Sequence, residues 1–540
     1  MKKRNLEELV IYQIYPRSFQ DTSGNGIGDL NGIRKRLNYL HKLGIDMIWI
    51  TPFYPSGGRD NGYDVKDYTA IDPLFGSMSD FKNLVKEAKA LDIGIMLDMV
   101  LNHTSTKHKW FQKALKGDPK YMDYYFFVDK PVNWQSKFGG SAFKYVEHLD
   151  KYYLHLFDEK QADLNWENPY VRQELYDVVK FWMDLGVEGF RFDVINLISK
   201  PQIFKDSLIG DGRDAYTDGE KVLAYLQELN EKTFGTKDLV TVGELSSTTA
   251  QKAASYVNPE NNALSTAFGF HHLKIDYKDN LKWHLQKPNY DELKKILVHW
   301  QNVMEENKAL MALFWNNHDQ PRSVSRLGDD LNYPYESATM IATMMHMLKG
   351  MPYIYQGEEL GLPNAYFTSL DDYKDVESLN MIEILKEKFT QKELEESLSA
   401  HSRDNGRTPI PWDNTAHYGF SNVEPWIKFS QAKNLKTAQD VLSEKESIFT
   451  WYQRLIDLRH THKIVSKGKV NWPSNNNQNL LYYTRELNGE IWHVYNNVTN
   501  EKITLNLEHK ITEIILSNYN RLKICDKLDL EAYETLVLKE

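Results

Sequence analysis

Up to Gly357 the chain alternates short β-rich apolar runs with stretches whose apolar positions recur three and four residues apart. The runs Val10–Tyr15, Asp46–Ile50, Gly94–Met99, Gly189–Asp193, Leu239–Glu244, Ala267–Phe270, Ala312–Asn316 and Tyr353–Tyr355 read as strands. Between them, Ser79–Leu91 and Tyr170–Leu185 carry the apolar stripe of an amphipathic helix. Eight strands mostly separated by helices predict an α/β fold, a closed (β/α)8 TIM barrel, over 1–103 and 171–465. About 90 residues separate the third and fourth strands, too many for a loop, so 104–170 should form a small inserted domain. Residues 365–425 hold a charged helical piece, Met381–Ser399, and then an irregular Pro/Trp/Asn-rich stretch, together a subdomain. Leu480–Thr484, Ile491–Tyr495, Ile503–Leu507 and Thr535–Leu538 read as short strands with turns between them, predicting an antiparallel C-terminal β-sandwich over 466–540.

Composition removes several classes of function. The chain has 540 residues, 41% hydrophobic and 26% charged, an ordinary globular balance. A net charge of -10 without a basic stripe argues against nucleic acid as partner. The single cysteine, Cys525, excludes a disulfide framework. No apolar run approaches the roughly 18 residues of a membrane span, and the first residues lack a continuous apolar core, so a cytoplasmic protein with no membrane partner is expected. The substrate should then be a small intracellular molecule.

The segment Gly189-Phe190-Arg191-Phe192-Asp193 carries chemistry into an apolar strand. Side chains alternate along a strand, so Arg191 and Asp193 share one face. Two opposite charges in such a run are costly unless they pair or react. Two further strand ends are acidic: Val242-Gly243-Glu244 and Asn316-Asn317-His318-Asp319. Barrel chemistry sits at the C-terminal ends of the strands, where Asp193, Glu244, Asp319, His103 and His318 should meet. Like charges at short range drive one carboxyl pKa up, giving an acid beside a base, and two carboxyls flanking one bond are what glycoside hydrolysis requires.

Four ordered segments, Asp98-Met99-Val100-Leu101-Asn102-His103, Gly189-Phe190-Arg191-Phe192-Asp193, Val242-Gly243-Glu244 and Asn316-Asn317-His318-Asp319, resemble the motifs of the α-amylase family of glycoside hydrolases. The resemblance covers essentially the whole chain. It implies a retaining mechanism, with Asp193 as nucleophile, Glu244 as general acid and then base, and Asp319 binding hydroxyls of the distorted sugar. Arg191 would keep Asp193 ionised, and His103 and His318 would hydrogen-bond the sugar.

Within the family, Asp60-Asn61-Gly62-Tyr63-Asp64 and Ser402-Arg403-Asp404-Asn405-Gly406-Arg407-Thr408-Pro409 resemble exo-acting α-glucosidases. Asp60 and Arg403 would clamp the non-reducing glucose, and Tyr63 would stack beneath it. Val194 after the nucleophile resembles enzymes that cleave α-1,6 or α,α-1,1 bonds. The segments 193–200, 242–249 and 270–277 resemble members acting on a phosphorylated α,α-linked disaccharide, with isomalto-oligosaccharides as the alternative substrate. An acidic protein that selects a phosphate needs a local cationic patch. His271, His272, Lys274, Lys278 and Lys287 crowd one region, with His271 and Lys274 as phosphate candidates. Each charge-assisted bond there would contribute roughly 1.5–3 kcal/mol. The same lysines also fit a solvated surface. The paired histidines lack a third ligand at metal spacing. Ile410-Pro411-Trp412, His417-Tyr418-Gly419-Phe420 and Tyr54-Pro55-Ser56-Gly57-Gly58-Arg59 depart from the usual pattern of the subgroup, on loops expected at the leaving-group side.

No cofactor is required by this chemistry. A structural Ca²⁺ loop is one reading of Asp21, Ser23, Asn25, Ile27 and Asp29; an Asx-closed glycine turn is the other. A non-catalytic amylase-like binding protein is disfavoured, because all three carboxylates are present and no span exists.

Overall fold

The computed structural model describes residues 5–475, 477–507, 509–525 and 527–540. The basic start at 1–4, part of the leader question, lies outside the described residues. Two compact units divide the chain: one spans Ile48–Phe270 with Asn307–Ala309, the other Asn5–Met47, His271–Glu306 and Leu310–Glu540.

In the first unit the strands Thr266–Phe268, Val240–Glu244, Gly189–Phe192, Gly94–Met99 and, from its second residue, Met47–Ile50 run parallel in that order. Their interiors are buried on both faces, which is why each reads as a nearly unbroken apolar run. Register decides what the strand ends present. Asp98 lies opposite Arg191 on one side, and Val242 lies opposite Arg191 on the other. Helix Met78–Ala90 begins where Ser77 and Asp80 form a reciprocal capping box, and it buries Phe81, Leu84 and Ala88. Helix Pro169–Asp184 starts with an Asn168 cap and Pro169 at its first turn. The stretch between these elements forms a ribbon, His103–Ser105 on Gln161–Asp163, and a three-stranded sheet built from Phe127–Val128, Lys151–Leu154 and Phe143–Val146. Its core of Phe126, Trp134, Phe143 and Leu154 also receives Val194 and Leu197, so the inserted segment grips the loop that follows Asp193.

In the second unit Ile11–Ile14, Met351–Tyr355 and Ala312–Leu313 are parallel neighbours. The last strand is shorter than its apolar run, and just beyond it the Phe314 carbonyl accepts from His272 Nε2 at 2.7 Å. The single charged helix expected over Met381–Ser399 is two helices, Val376–Leu385 and Gln391–His401. Thr390 and Glu393 form a capping box that starts the second, a polar signal hidden inside the charged run. The C-terminal strands form a five-stranded antiparallel sheet and a two-stranded one that share the core Leu480, Tyr482, Tyr495, Ile503, Leu530 and Leu538. Lys469–Asn471, Glu513–Ser517 and Lys527–Leu530 add strands that the alternation alone did not predict. Asn488 and Gly489, both at positive φ, make the tight turn between Leu480–Leu487 and Glu490–Asn497. Among the described residues no helix is long and apolar enough to cross a membrane.

Candidate active site

The first unit holds a buried guanidinium shared by three carboxyl groups. Arg191 Nη1 lies 2.6 Å from both Asp98 Oδ1 and Asp193 Oδ1, and Arg191 Nη2 lies 2.5 Å from Glu244 Oε2. Arg191 and Asp98 are essentially inaccessible, and Asp193 is 6% exposed. The same-side placement of Arg191 and Asp193 follows from strand alternation. The third partner, Asp98, comes from the neighbouring strand in register. Three acids around one cation leave an excess of negative charge. Burial pushes the Asp193 carboxyl well above its ordinary range, Arg191 opposes it, and Glu244 adds to the rise. Burial raises Asp98 to about 6, again against Arg191. Asp193 and Glu244 meet opposite ends of the same guanidinium. Crowding of like charges around one cation is what sets carboxyl pKa values apart.

The loop around this cluster is strained. Val194, immediately after Asp193, has φ 37° and ψ 40°, the left-handed region that a β-branched residue seldom enters. That turn aims the Val194 N–H at Glu244 Oε2, 3.2 Å away. Tyr63 donates its hydroxyl to Asp98 Oδ2 at 3.0 Å, and its ring lies 5.7 Å from the Arg191 guanidinium carbon. His103 is buried against the Tyr63 carbonyl (3.1 Å) and the Asn102 and Gln161 amides (3.2 Å each). Burial lowers its pKa to about 4, so it is a neutral hydrogen-bonding group. Gln161 also donates to Asp60 Oδ2 at 3.3 Å. Asp60, Tyr63, His103, Arg191, Asp193 and Glu244 thus belong to one network in this unit. Lys200 supports it from below. Its ammonium pairs with Asp163 at 2.9 Å and donates to Asn102 Oδ1 at 2.7 Å, wholly buried.

The second unit holds another acid–guanidinium network. Asp319 Oδ1 lies 3.1 Å from Arg403 Nη1 and 2.7 Å from Arg407 Nη2. The same two arginines grip Asp375, at 2.6 Å and 3.0 Å. Burial opposes ionisation of Asp375, but the two guanidinium groups hold it at about 2. Gln13 Nε2 faces His318 Nδ1 at 2.8 Å and donates to it, which places the His318 Nε2 proton toward Asp319 Oδ2 at 3.3 Å.

The proposed phosphate patch is corrected in part. His271 and His272 lie on the short 3-10 turn His271–Lys274. His272 packs against Phe314 and Trp315, and burial lowers its pKa to about 4. Burial lowers His271 as well, beside Trp300. Neither imidazole is a cation at neutral pH, so the lysines alone carry charge there; Lys274, Lys278 and Lys287 are exposed. The glycine loop closes on itself. Asp21 Oδ1 accepts from the Ser23 and Gly24 N–H groups (2.8 Å each), and Asp21 Oδ2 from the Gly26 N–H and the Ser421 hydroxyl. Asp29 accepts from Thr22 and Gly32, and Asn25 from the Ile27 N–H. These contacts are those of an Asx-closed turn.

Asp98, Lys200, Arg407 and Asp375 escaped residue-level reasoning. A signal existed for Asp98 and Arg407, since both stand inside the quoted motifs, and Asp98 interrupts an apolar strand as Asp193 does.

The chain belongs to the α-amylase family: residues 13–468 match the family described as "Alpha amylase, catalytic domain". It is an α-amylase family glycoside hydrolase with the (β/α)8 barrel and C-terminal antiparallel strands of that fold class. It is 49% identical to the trehalose-6-phosphate hydrolase of Escherichia coli (strain K12), over 91% of this chain and 90% of that protein. It is 41% identical to the oligo-1,6-glucosidase of Bacillus cereus over the full length of both. The crystal structure of Bacillus licheniformis trehalose-6-phosphate hydrolase matches with a TM-score of 0.95 at 44% identity, covering 99% of each chain.

Proposed function

We propose that the protein is a retaining, exo-acting α-glucosidase that hydrolyses trehalose 6-phosphate to glucose and glucose 6-phosphate. The observation that carries the mechanism is that Asp193 and Glu244 share one guanidinium, Arg191. Two carboxyls on one guanidinium favour the short spacing of retaining glycosidases, about 5–5.5 Å, over the wider spacing of an inverting pair. In the first step an Asp193 oxygen bonds to the anomeric carbon, while the glycosidic C–O bond breaks and Glu244 gives its proton to the departing oxygen. In the second, Glu244 takes a proton from water, the water oxygen bonds to the anomeric carbon, and Asp193 leaves. Arg191 stabilises the Asp193 carboxylate in both resting and released states. Asp60, Tyr63 and the neutral His103 are the sugar-binding groups of the first unit, and His318 and Asp319, the latter held by Arg403 and Arg407, those of the second.

The substrate reading rests on higher identity to a trehalose-6-phosphate hydrolase than to an oligo-1,6-glucosidase. Lys274 remains the charged candidate for the phosphate, with His271 as a neutral N–H donor. A phosphorylated sugar does not cross a membrane unaided, so the reading places the reaction in the cytoplasm. The test compares kcat/KM for trehalose 6-phosphate, trehalose and isomaltose. A preference of 10²-fold or more for the phosphorylated sugar, about 2.7 kcal/mol of transition-state discrimination, is expected. A preference for isomaltose makes the protein an oligo-1,6-glucosidase and removes Lys274 from the site.

A further inference from the structure

The C-terminal sheet brings together two imidazoles and a carboxylate that the hydrolytic chemistry does not use. His493 lies in strand Glu490–Asn497, opposite Leu538 of Thr535–Lys539. Glu540 continues the latter strand by one residue, its N–H bonded to the Ile491 carbonyl at 3.0 Å. On the other edge, Thr512 N–H bonds the Lys539 carbonyl at 2.9 Å, which holds the 509–512 segment beside Glu540. His493 is thus delivered by a strand, Glu540 by the end of one, and His509 by the segment that leads into strand Glu513–Ser517.

Their geometry is that of a ligand set. His493 Nε2 lies 3.1 Å from Glu540 Oε2, and His509 Nδ1 lies 3.7 Å from Glu540 Oε1. All three donor atoms lie within 4.8 Å of one another. Metal bonds of about 2.0–2.1 Å in a tetrahedron put donor atoms about 3.3 Å apart, so a small side-chain adjustment closes the site. The outer groups are also in place. Tyr482 Oη sits 2.8 Å from His493 Nδ1 and can accept its proton, leaving the Nε2 lone pair for a cation. Tyr482 and Tyr495 stack 4.6 Å apart, and the His493 ring continues the stack, which fixes its orientation. His493 is 2% exposed, so its ring is held in place by the surrounding sheet.

We propose that His493, His509 and Glu540 form a binding site for a borderline divalent cation of the zinc class. Two nitrogens and one oxygen favour Zn²⁺ over Mg²⁺ or Ca²⁺, which prefer all-oxygen sets. Three protein ligands leave one position for water. The site clips the 509–512 segment and the end of the sheet to strand Glu490–Asn497, so its role is structural.

The test is isothermal titration of ZnCl₂ into tag-free, full-length protein in a Cys525→Ser background, which removes the chain's one thiol. One zinc per chain is expected, undisplaced by excess Mg²⁺ or Ca²⁺. His509→Ala and Glu540→Gln, both at exposed positions, should each weaken binding by 10-fold or more with unchanged far-UV circular dichroism. Tyr482→Phe, which leaves all three ligands, should weaken it by about 10-fold through loss of the hydrogen bond that orients the His493 ring. Absence of zinc binding at micromolar concentration, or binding of equal strength in the His509→Ala/Glu540→Gln double variant, overturns the site.

Discussion

Replacing Arg191 by methionine removes the one cation from a buried set of three acids while roughly keeping its volume. In the native protein its three contacts, at 2.5–2.6 Å, offset the desolvation of Asp98, Asp193 and Glu244. Breaking a buried ion pair on one side costs about 3–5 kcal/mol, because an uncompensated charge stays behind. The variant can lower that cost by protonating its carboxyls, so the loss must depend on pH. Burial already raises Asp98 to about 6 with Arg191 present, while carboxyls of an unfolded chain titrate near ~4. Between those values the folded state keeps a proton that the unfolded state has released. Stability therefore falls as pH rises through that window, by about 1.4 kcal/mol per pH unit per retained proton. Without Arg191 the window extends upward beyond the native limit. Urea unfolding followed by tryptophan fluorescence should show Arg191→Met less stable by about 3–5 kcal/mol at about pH 8, with the deficit shrinking toward about pH 5. Equal deficits at both pH values, or one below about 1 kcal/mol at the higher pH, would refute the picture of a dry cluster held by one charge.

Two other substitutions probe the network. Asp193→Asn should lower kcat by a factor on the order of 10⁴ or more while the circular dichroism spectrum persists; robust turnover by that variant removes Asp193 as nucleophile. Lys200→Met should destabilise the fold by about 3–5 kcal/mol by stranding Asp163, which is fully buried with Lys200. Adding Asp163→Asn should recover part of that loss in urea unfolding, and a strictly additive double variant would show that the pair is not coupled.

The positions of the strands and of the acidic strand ends were legible in the chain. Apolar runs bounded by polar residues are local patterns, and the alternation that puts Arg191 beside Asp193 needs no partner to be known. The chain also carried the capping boxes at Ser77 and Thr390, although the second was lost inside a charged stretch and two helices read as one. What Arg191 meets could not be read this way. Its bond to Asp98 depends on the register of two strands separated in sequence by the inserted segment, and its bond to Glu244 depends on a third strand. Burial was equally hidden. His272 looked like a cation beside lysines, yet Phe314 and Trp315, distant in sequence, enclose it and keep it neutral. Local spacing determines which face a side chain occupies; its charge state and its partner depend on desolvation and on groups delivered by remote segments, and only the tertiary structure brings those together.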